Sequence, residues 1–384
     1  MVVSPYYAAP KVYIRGIFLV MASAADRRFM KLALELAEKG RGQTSPNPMV
    51  GAVIVRDGEV VGEGYHEQAG LPHAELNALE YARDKAHGAT LYVSLEPCCH
   101  SGRTPPCTKA IIDGSIKRVV CAIEDPNPNV SGNGIEELAR AGIEVDIGLM
   151  AEEARRLNEV YFKYITTGLP FVTLKVAQTI DGRIAATDGS SRWVSERESR
   201  RYVHRLRSYN DAVMVGVNTV IADDPELTVR WAEGRNPVRI VLDSSLRIPL
   251  RSKLLNGRPR AKTIIATSSR ADPSKVAQLQ EKGVDIWSVP TNENGRLSLQ
   301  ALLKRAGQEE ITSILVEGGS EVYSDFIRSS LADKMHIFIA PTILGSGLSS
   351  IQDLGIESLD DGLRLREVEV RRFGGDVLLT GYFN

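Results

Sequence analysis

Apolar residues along this chain recur at two spacings, every three or four positions and in short unbroken runs, and the two rhythms alternate. Phe29, Leu32, Ala33 and Leu36 fall on one helical face, behind Ser23 and Asp26 in an S-x-x-D capping pattern and ahead of Gly40 as a stop. Apolar stretches at 50–55 and 59–65 flank Asp57-Gly58, a strong short-range signal for a hairpin. The pattern then predicts a helix starting near His73, a strand over 89–95, a short helix over 105–112 and a strand over 117–123. Residues 124–134 hold prolines, glycines and asparagines in a polar setting and read as a loop. An amphipathic helix over 151–165 closes this block.

Thr167-Gly168-Leu169-Pro170 is a cluster of breakers between that helix and a new apolar run, and it is the best boundary in the chain. Beyond it the alternation restarts with a strand over 171–177, a turn at Asp181-Gly182 and a helix over 197–207. Strands follow at 212–217, 238–242, 263–266, 284–289 and 313–316, then a helix over 321–330. The segments 335–340 and 376–382 read as paired strands. Both blocks are therefore expected to be α/β. The chain divides into a domain over 23–168, a second over 169–384, and an extension over 1–22 outside the fold. That extension carries Lys11 and Arg15 with no acid before Asp26, and its apolar stretch at 16–21 is too short for a secretory signal core. Met21 is an alternative start.

Composition changes this picture in three respects. The 384 residues are enough for two or three domains, and 43% hydrophobic with 25% charged residues is ordinary for a globular protein. Lys and Arg (47) balance Asp and Glu (48), so only local basic clusters can bind anions, and a nucleic-acid-coating protein is disfavoured. Four cysteines cannot form a disulfide framework, and three of them lie between Cys98 and Cys107. That clustering suggests a metal or reactive site in a reducing, cytoplasmic setting. No apolar run approaches the ~18 residues of a membrane helix.

The candidate chemistry of the first block lies in His73-Ala74-Glu75 and in the run Glu96-Pro97-Cys98-Cys99-His100-Ser101-Gly102-Arg103-Thr104-Pro105-Pro106-Cys107. A catalytic zinc takes three nitrogen or thiolate ligands and keeps one position open. His73, Cys98 and Cys107 supply three, and Glu75 can reach a metal-activated water without ligating the metal. H-x-E…P-C-x-x-C marks zinc deaminases. Here Ser101 stands where the second cysteine would be, and the next cysteine is Cys107. A closed structural zinc site with Cys99 or His100 as fourth ligand competes, but it leaves Glu75 without a task. Cys121 reads as a small buried apolar residue, and His87 and His204 as solvated.

In the second block, the predicted strand at 313–316 runs into Glu317-Gly318-Gly319 and then a helix, where a bare backbone can approach a pyrophosphate. Val215-Gly216-Val217 repeats the arrangement with one glycine. Neither is G-x-G-x-x-G with an acid about 20 residues on, so a Rossmann fold is not supported.

The run from Glu96 to Cys107 resembles the deaminase half of the bifunctional riboflavin-biosynthesis deaminase–reductase family, as do Pro46-Asn47-Pro48-Met49-Val50-Gly51 and Gly64-Tyr65-His66. Residues 174–185, Ser191-Arg192-Trp193-Val194-Ser195, residues 219–230 and Glu317-Gly318-Gly319 resemble its reductase half. The likeness extends from Asp26 to the C-terminus. It implies a cytidine-deaminase-like three-layer domain followed by a dihydrofolate-reductase-like α/β domain. It implies His73, Cys98 and Cys107 as zinc ligands and Glu75 as the catalytic proton carrier. Asn47, His66, His100, Arg103 and Thr104 would then hold the aminopyrimidine and ribose phosphate.

In the second half the resemblance makes Asp223 the acid near the site of hydride transfer. Ser191, Arg207, Leu227, Arg230 and Glu317 would line the substrate site, and Trp193, Ser195, Thr219, Gly318 and Gly319 the NADPH side. Guanidinium groups at 207 and 230 suit a phosphate. Trp193 offers a ring a flat face or is a core aromatic, and Asp223-Asp224 could equally be a turn before Pro225. Lys175 projects from a strand with no role assigned.

The implied enzyme uses Zn2+ and NADPH on a small pyrimidine ribose phosphate, with no nucleic-acid or membrane partner, as a homo-oligomer. It would deaminate 2,5-diamino-6-ribosylamino-4(3H)-pyrimidinone 5′-phosphate and then reduce the ribosyl group, giving 5-amino-6-(5-phosphoribitylamino)uracil. Two rivals stand beside it: a deaminase whose second domain only binds or assembles, and a nucleic-acid module with a structural zinc. The near-zero net charge weighs against the latter.

Overall fold

The computed structural model describes residues 17–18, 23–100, 105–256 and 261–383. They fall into two compact units that divide between Thr166 and Thr167.

Six strands form the sheet of the first unit, in the order Ile17–Phe18, Glu144–Ile147, Arg118–Cys121, Thr90–Val93, Gly51–Arg56, Glu59–Tyr65. The first four are parallel, and each hairpin strand is antiparallel to the strand before it. Asp57 and Gly58 take φ of 52° and 83°, the left-handed pair that a tight hairpin needs. The capping pattern at Ser23 forms as expected. Its hydroxyl accepts the Asp26 N–H at 3.0 Å while Asp26 accepts the Ser23 N–H at 3.0 Å, and the helix Ala24–Glu38 follows.

Two glycines set the helices on opposite faces. A Cβ on Gly51 would lie 2.0 Å from the Ala33 carbonyl oxygen, and one on Gly64 would lie 2.3 Å from that of Ala74. Gly51 and Gly64 belong to adjacent cross-strand pairs and so point to opposite sides of the sheet. The helix Ala24–Glu38 therefore covers one face and Ala74–Ala82 the other, which makes three layers. The close approach at Gly64 seats the start of the helix that follows His73 directly on the hairpin.

Several expectations for this unit change. Ile17–Phe18, placed outside the fold, pairs with Val145 and Asp146. The helix expected over 151–165 is two helices, Ala151–Leu157 and Glu159–Thr167, broken at Asn158. The buried Asn158 amide accepts the Met49 N–H and donates to the Met49 carbonyl, each at 2.8 Å, imitating a strand neighbour. The helix Asn133–Arg140 and strand Glu144–Ile147 were not predicted. The buried side of that strand includes Asp146, which pairs with Arg118 and so breaks the apolar pattern.

In the second unit nine strands run in the order Asp285–Ser288, Thr263–Thr267, Val238–Leu242, Ala212–Gly216, Ser313–Gly318, Phe171–Thr179, Lys334–Ala340, Asp376–Tyr382, Arg366–Phe373. The first seven are parallel and the last two antiparallel. Met214, Ile240, Ile264 and Val316 feed one core, and Val213, Val215, Val241 and Ile265 feed a second on the other face. The edge strand Arg366–Phe373 escaped prediction because Val368 and Val370 are exposed and charged residues surround them. Strand Ser313–Gly318 lies between Phe171–Thr179 and Ala212–Gly216, so chain order breaks there. In such sheets ligands bind beyond the carboxyl ends of the strands at the break, and the clefts of this unit open there.

Candidate active sites

His73 immediately precedes the helix Ala74–Ala82, Cys107 opens the helix Cys107–Asp113, and Cys98 comes from the loop after strand Thr90–Val93. Their donor atoms all lie within 4.8 Å of one another. His73 Nδ1 is 3.3 Å from Cys107 Sγ and 3.5 Å from Cys98 Sγ. The Cys107 and His73 hydrogen bonds hold the Cys98 thiol down to about 4 against the opposing effect of burial. Cys107 itself is pushed up, by Cys98 beside it and by burial. The cluster thus confines negative charge against the His73 imidazole.

Glu75 is buried, which pushes its carboxyl up to about 7. Its Oε2 is shut off from solvent with no hydrogen-bond partner among the described residues. His66 Nδ1 is 3.1 Å from the Pro72 carbonyl, so it carries the proton and donates there. His66 Nε2 then accepts from the Asn47 amide at 3.1 Å, and its ring meets that of His73 edge-on at 5.2 Å. Burial keeps His66 below the usual histidine range and therefore neutral. Asn47 and His66 thus form a polar wall beside the donor cluster. His100 is exposed, while Arg103 and Thr104 lie outside the described residues. Cys99 turns its sulfur toward the Asn129 carbonyl at 4.0 Å, and Cys121 is fully buried, as expected of it.

Glu96 is a residue that the sequence did not single out. Its buried carboxylate accepts the N–H groups of Asp125, Gly132, Gly134 and Ile135 at 2.9–3.3 Å. It thereby pins the 124–134 loop and the start of helix Asn133–Arg140 against the cysteine segment, where a Cβ on Gly134 would lie 2.1 Å from the Pro97 carbonyl. Its position two residues before Cys98 was the available signal.

In the second unit every site residue that the resemblance implied, and Lys175 with them, lines one cleft of about 400 Å³. A neighbouring cleft of about 820 Å³ shares Ser191, Thr219, Asp223 and Gly319 with it and adds Gly216, Ser244 and Arg247. Trp193, Ser195 and Gly318 line only the first, so the expected division into substrate and NADPH sides does not follow the two clefts. Asp223 ends the helix Val217–Asp223 at their junction, and its carboxylate accepts the Ser191 hydroxyl at 3.1 Å.

The floor of the first cleft is a charge cluster. Glu317 takes Arg207 bidentately, Nε to Oε1 at 2.5 Å and Nη2 to Oε2 at 2.9 Å, with Lys175 Nζ at 3.9 Å. Burial alone would raise the Glu317 carboxyl, but Arg207 and Lys175 hold it below the usual range. Burial lowers Lys175 in turn. Arg207, expected at a phosphate, gives Nη1 to the Thr228 carbonyl at 3.1 Å, so each of its three nitrogens has a partner while one N–H on Nη1 and one on Nη2 are left over. Arg230 pairs with Glu226 at 2.7 Å. Leu227 has φ of 54° and a buried side chain, so what it presents to the cleft is mainly backbone.

His204 is not solvated, which corrects the expectation from sequence. It is buried, its Nδ1 accepts the Arg230 main-chain N–H at 3.1 Å, and its ring lies 5.1 Å from that of Trp231. Burial and the cations of Arg207 and Arg230 hold it down to about 4.

Residues 23–123 match the family model of the cytidine and deoxycytidylate deaminase zinc-binding region, and residues 170–379 match that of the RibD C-terminal domain. The riboflavin biosynthesis protein RibD of Aquifex aeolicus (strain VF5) is 50% identical over 360 residues, covering 94% of this chain and 99% of that one. This chain belongs to the RibD family. RibD of Escherichia coli (strain K12) is 42% identical over 370 residues, covering 92% of this chain and 98% of that one. Among solved structures, Acinetobacter baumannii RibD in form 1 superposes with a TM-score of 0.85 at 38% identity, covering 94% of this chain and 99% of that one. The deaminase/reductase of Thermotoga maritima does so at 0.79 and 39% identity, with the same coverages. Both halves of RibD, a zinc-dependent deaminase and an NADPH-dependent reductase of riboflavin biosynthesis, are present in this one chain. Among the described residues no helix is long and apolar enough to cross a membrane.

The residues present fit both groups that RibD requires. The nitrogen and two sulfurs of the donor cluster, with the orphaned Glu75 oxygen beside them, suit zinc with one open position. For NADPH, Gly319 caps the helix Ser320–Arg328 without any side-chain hydrogen bond, leaving amide groups free for an anion. A Cβ on Gly318 would fall 2.7 Å from Thr219 Oγ1, so the backbone approach there needs glycine.

Proposed function

We propose that residues 23–168 remove the amino group of 2,5-diamino-6-ribosylamino-4(3H)-pyrimidinone 5′-phosphate and that residues 169–384 reduce the ribosyl group of the product. The observation that carries this reading is the buried Glu75 oxygen, without a partner among the described residues, beside a three-donor cluster of one histidine and two cysteines. When bound, zinc supplies Lewis acidity that activates a water, and NADPH supplies the two electrons of the reduction.

Glu75 sits two residues from His73 and, being buried, is poised near neutrality, so it can take a proton from the attacking water and hand it to the departing ammonia. His73, Cys98 and Cys107 hold the metal. Asn47 and His66 present a neutral amide and imidazole to the pyrimidine, and by the resemblance His100, Arg103 and Thr104 would also bind the substrate. In the second unit Asp223, Ser191 and Thr219 stand where the two clefts meet and orient the ribose, while Glu317 and Arg207 form the polar floor. Leu227 and Arg230 close the substrate side, and Trp193, Ser195, Gly318 and Gly319 frame the approach of the nicotinamide. The free cysteines suit a reducing cytoplasm. The uncovered edge strand Arg366–Phe373, with Val368 and Val370 exposed, supports a homo-oligomer.

The test follows the pyrimidine phosphate by mass spectrometry with purified, zinc-loaded protein, with and without NADPH. The expected result is deamination in both tubes and reduction only with NADPH. Deamination with no reduction would make the second unit a binding or assembly module, and no reaction in either tube would overturn both halves.

A further inference from the structure

The strand Gly51–Arg56 loses its neighbour Thr90–Val93 where that chain leaves to deliver Cys98. Their pairing closes at Ala52 and Val93. Ser94 holds one residue more, since its hydroxyl accepts the Gly51 N–H at 3.0 Å and its own N–H donates to the Gly51 carbonyl at 3.1 Å. Two residues on, Glu96 donates its N–H to the Ile123 carbonyl at 3.0 Å, and the chain continues to Cys98. On the hairpin side the last bond runs from the His66 N–H to the Val50 carbonyl at 2.9 Å. Met49 therefore lies past the end of the ladder, two residues from Asn47.

Asn158 takes over at that point, 109 positions along the chain, its buried amide meeting both main-chain groups of Met49 at 2.8 Å. The aim of that amide is fixed from both sides. The Asn158 N–H donates to the Ala154 carbonyl at 3.2 Å and its carbonyl accepts the Phe162 N–H at 2.9 Å, which ties it to the helices before and after it. One turn on, the buried Tyr161 donates its hydroxyl to the buried Asp125 carboxylate at 3.0 Å, so the same segment also grips the 124–134 loop. Between Met49 and Asn47 stands only Pro48, and Pro46 precedes Asn47. A proline ring fixes its own φ and keeps the residue before it extended, so holding Met49 sets the direction of Asn47. The Asn47 amide gives one N–H to His66, and its oxygen and second N–H have no partner among the described residues.

The geometry points to Asn158 as a positioning residue of the deaminase half, one that acts on the substrate through Asn47. It touches neither the donor cluster nor Glu75, and its two bonds end on the main chain of Met49. Its contribution is to keep the Asn47 amide in one orientation before the pyrimidine arrives, which spares binding the cost of ordering that group. The helix break at Asn158 is then a feature of the active site as well as of the scaffold. This assignment rests on Asn47 meeting the pyrimidine, as in the function proposed above.

The test is deaminase kinetics on the zinc-loaded full chain with the pyrimidine ribose phosphate, for the wild type, Asn47→Ala, Asn158→Ala and the double variant. Each single change is expected to raise KM by roughly 3- to 10-fold, about the worth of one hydrogen bond, with a smaller effect on kcat. Zinc content should match the wild type. In the double variant KM should stay within about two-fold of Asn47→Ala alone, because Asn158 would be holding a side chain that is no longer there. The loss of melting temperature caused by Asn158→Ala should be the same in both backgrounds, which separates its part in the fold from its part in binding. Asn158→Asp keeps the shape and the acceptor for the Met49 N–H, and it carries the test if the alanine variant melts below the assay temperature. Its KM should rise by a smaller factor, and again not in the Asn47→Ala background. An unchanged KM in the Asn158 variants, or effects that multiply in the double variant, would overturn the positioning role and leave Asn158 to the fold. An unchanged KM in Asn47→Ala would overturn the route through Asn47. Absence of deamination by the wild type would instead overturn the proposed function, and this inference with it.

Discussion

The two centres of this chain hold charge in opposite ways. In the first unit an imidazole and two thiols converge within 4.8 Å, with a buried carboxyl beside them whose Oε2 has no partner among the described residues. In the second unit the buried carboxylate of Glu317 is already balanced by Arg207 and Lys175 before any ligand arrives. A centre suited to a cation keeps its donors short of partners, whereas the buried acid of the second unit's cleft already has its cations in place. Substitutions should therefore act differently in the two places. In the first they should remove metal or proton transfer and spare the fold, and in the second they should disturb the fold as well.

The sharpest form of that contrast is Glu75→Gln. It keeps the volume and removes the proton carrier, so deaminase turnover should fall by about 10²- to 10⁴-fold. Zinc content and reductase rate should hold. Cys98→Ser and Cys107→Ser should lose zinc by atomic absorption, whereas Cys99→Ser should retain it, because the Cys99 sulfur points to Asn129 rather than into the cluster. Zinc lost only from the Cys99 variant would reverse the ligand assignment.

Glu317→Ala probes the other side of the comparison. It strands two buried cations, so the second unit should lose about 3–5 kcal/mol in urea denaturation, the usual cost of breaking a buried pair from one end. Reduction should vanish while the melting of the first unit stays put. A variant as stable as the wild type would mean that the cations find other partners and that the cleft is not balanced in the way described. Glu96→Ala lies between these cases. It takes the acceptor from four N–H groups that hold the loop over Cys98, so zinc affinity by chelator competition should drop about 10- to 100-fold, as for other residues that orient ligands.

The same contrast explains what the residues alone disclosed. The deaminase centre draws on segments whose local chemistry is explicit: H-A-E opening a helix, and two cysteines around a proline-rich turn. The placing of His73 and Cys107 at helix starts was legible in the sequence, whereas the choice of Cys98 over Cys99 rested on the resemblance. The reductase residues could be named through resemblance and do line one cleft, but their pairing could not be seen. Arg207 and Glu317 are 110 positions apart, and nothing local says that the arginine is occupied. His204 misled for the same reason, since its acceptor role depends on a main-chain N–H 26 positions away. Strands with an apolar buried side were legible, as with Val238–Leu242 and Asp376–Tyr382. Arg366–Phe373, exposed on the sheet edge, was not. Asn158 broke a helix whose periodicity continued straight through it, because its amide is committed to Met49.

The smallest expected effect concerns the scaffold of the first unit rather than either centre. Burial alone would raise the Asp26 carboxyl, but the hydroxyls of Tyr92 and Ser23 and the guanidinium of Arg118 outweigh it and hold the group at about 2 against an ordinary 3.8. A carboxyl depressed in the folded state binds protons more readily once unfolded, so its stabilisation is complete above the unfolded value and fades as pH falls through the folded one. The first unit should accordingly lose stability between about pH 4 and pH 2. Asp26→Asn should start lower at neutral pH, since Arg118 keeps only Asp146, and should show a shallower fall across that window. Denaturant midpoints of the first unit at a series of pH values distinguish the two. An unchanged slope in the variant would assign the acid sensitivity to other carboxylates and leave Asp26 as a helix cap alone.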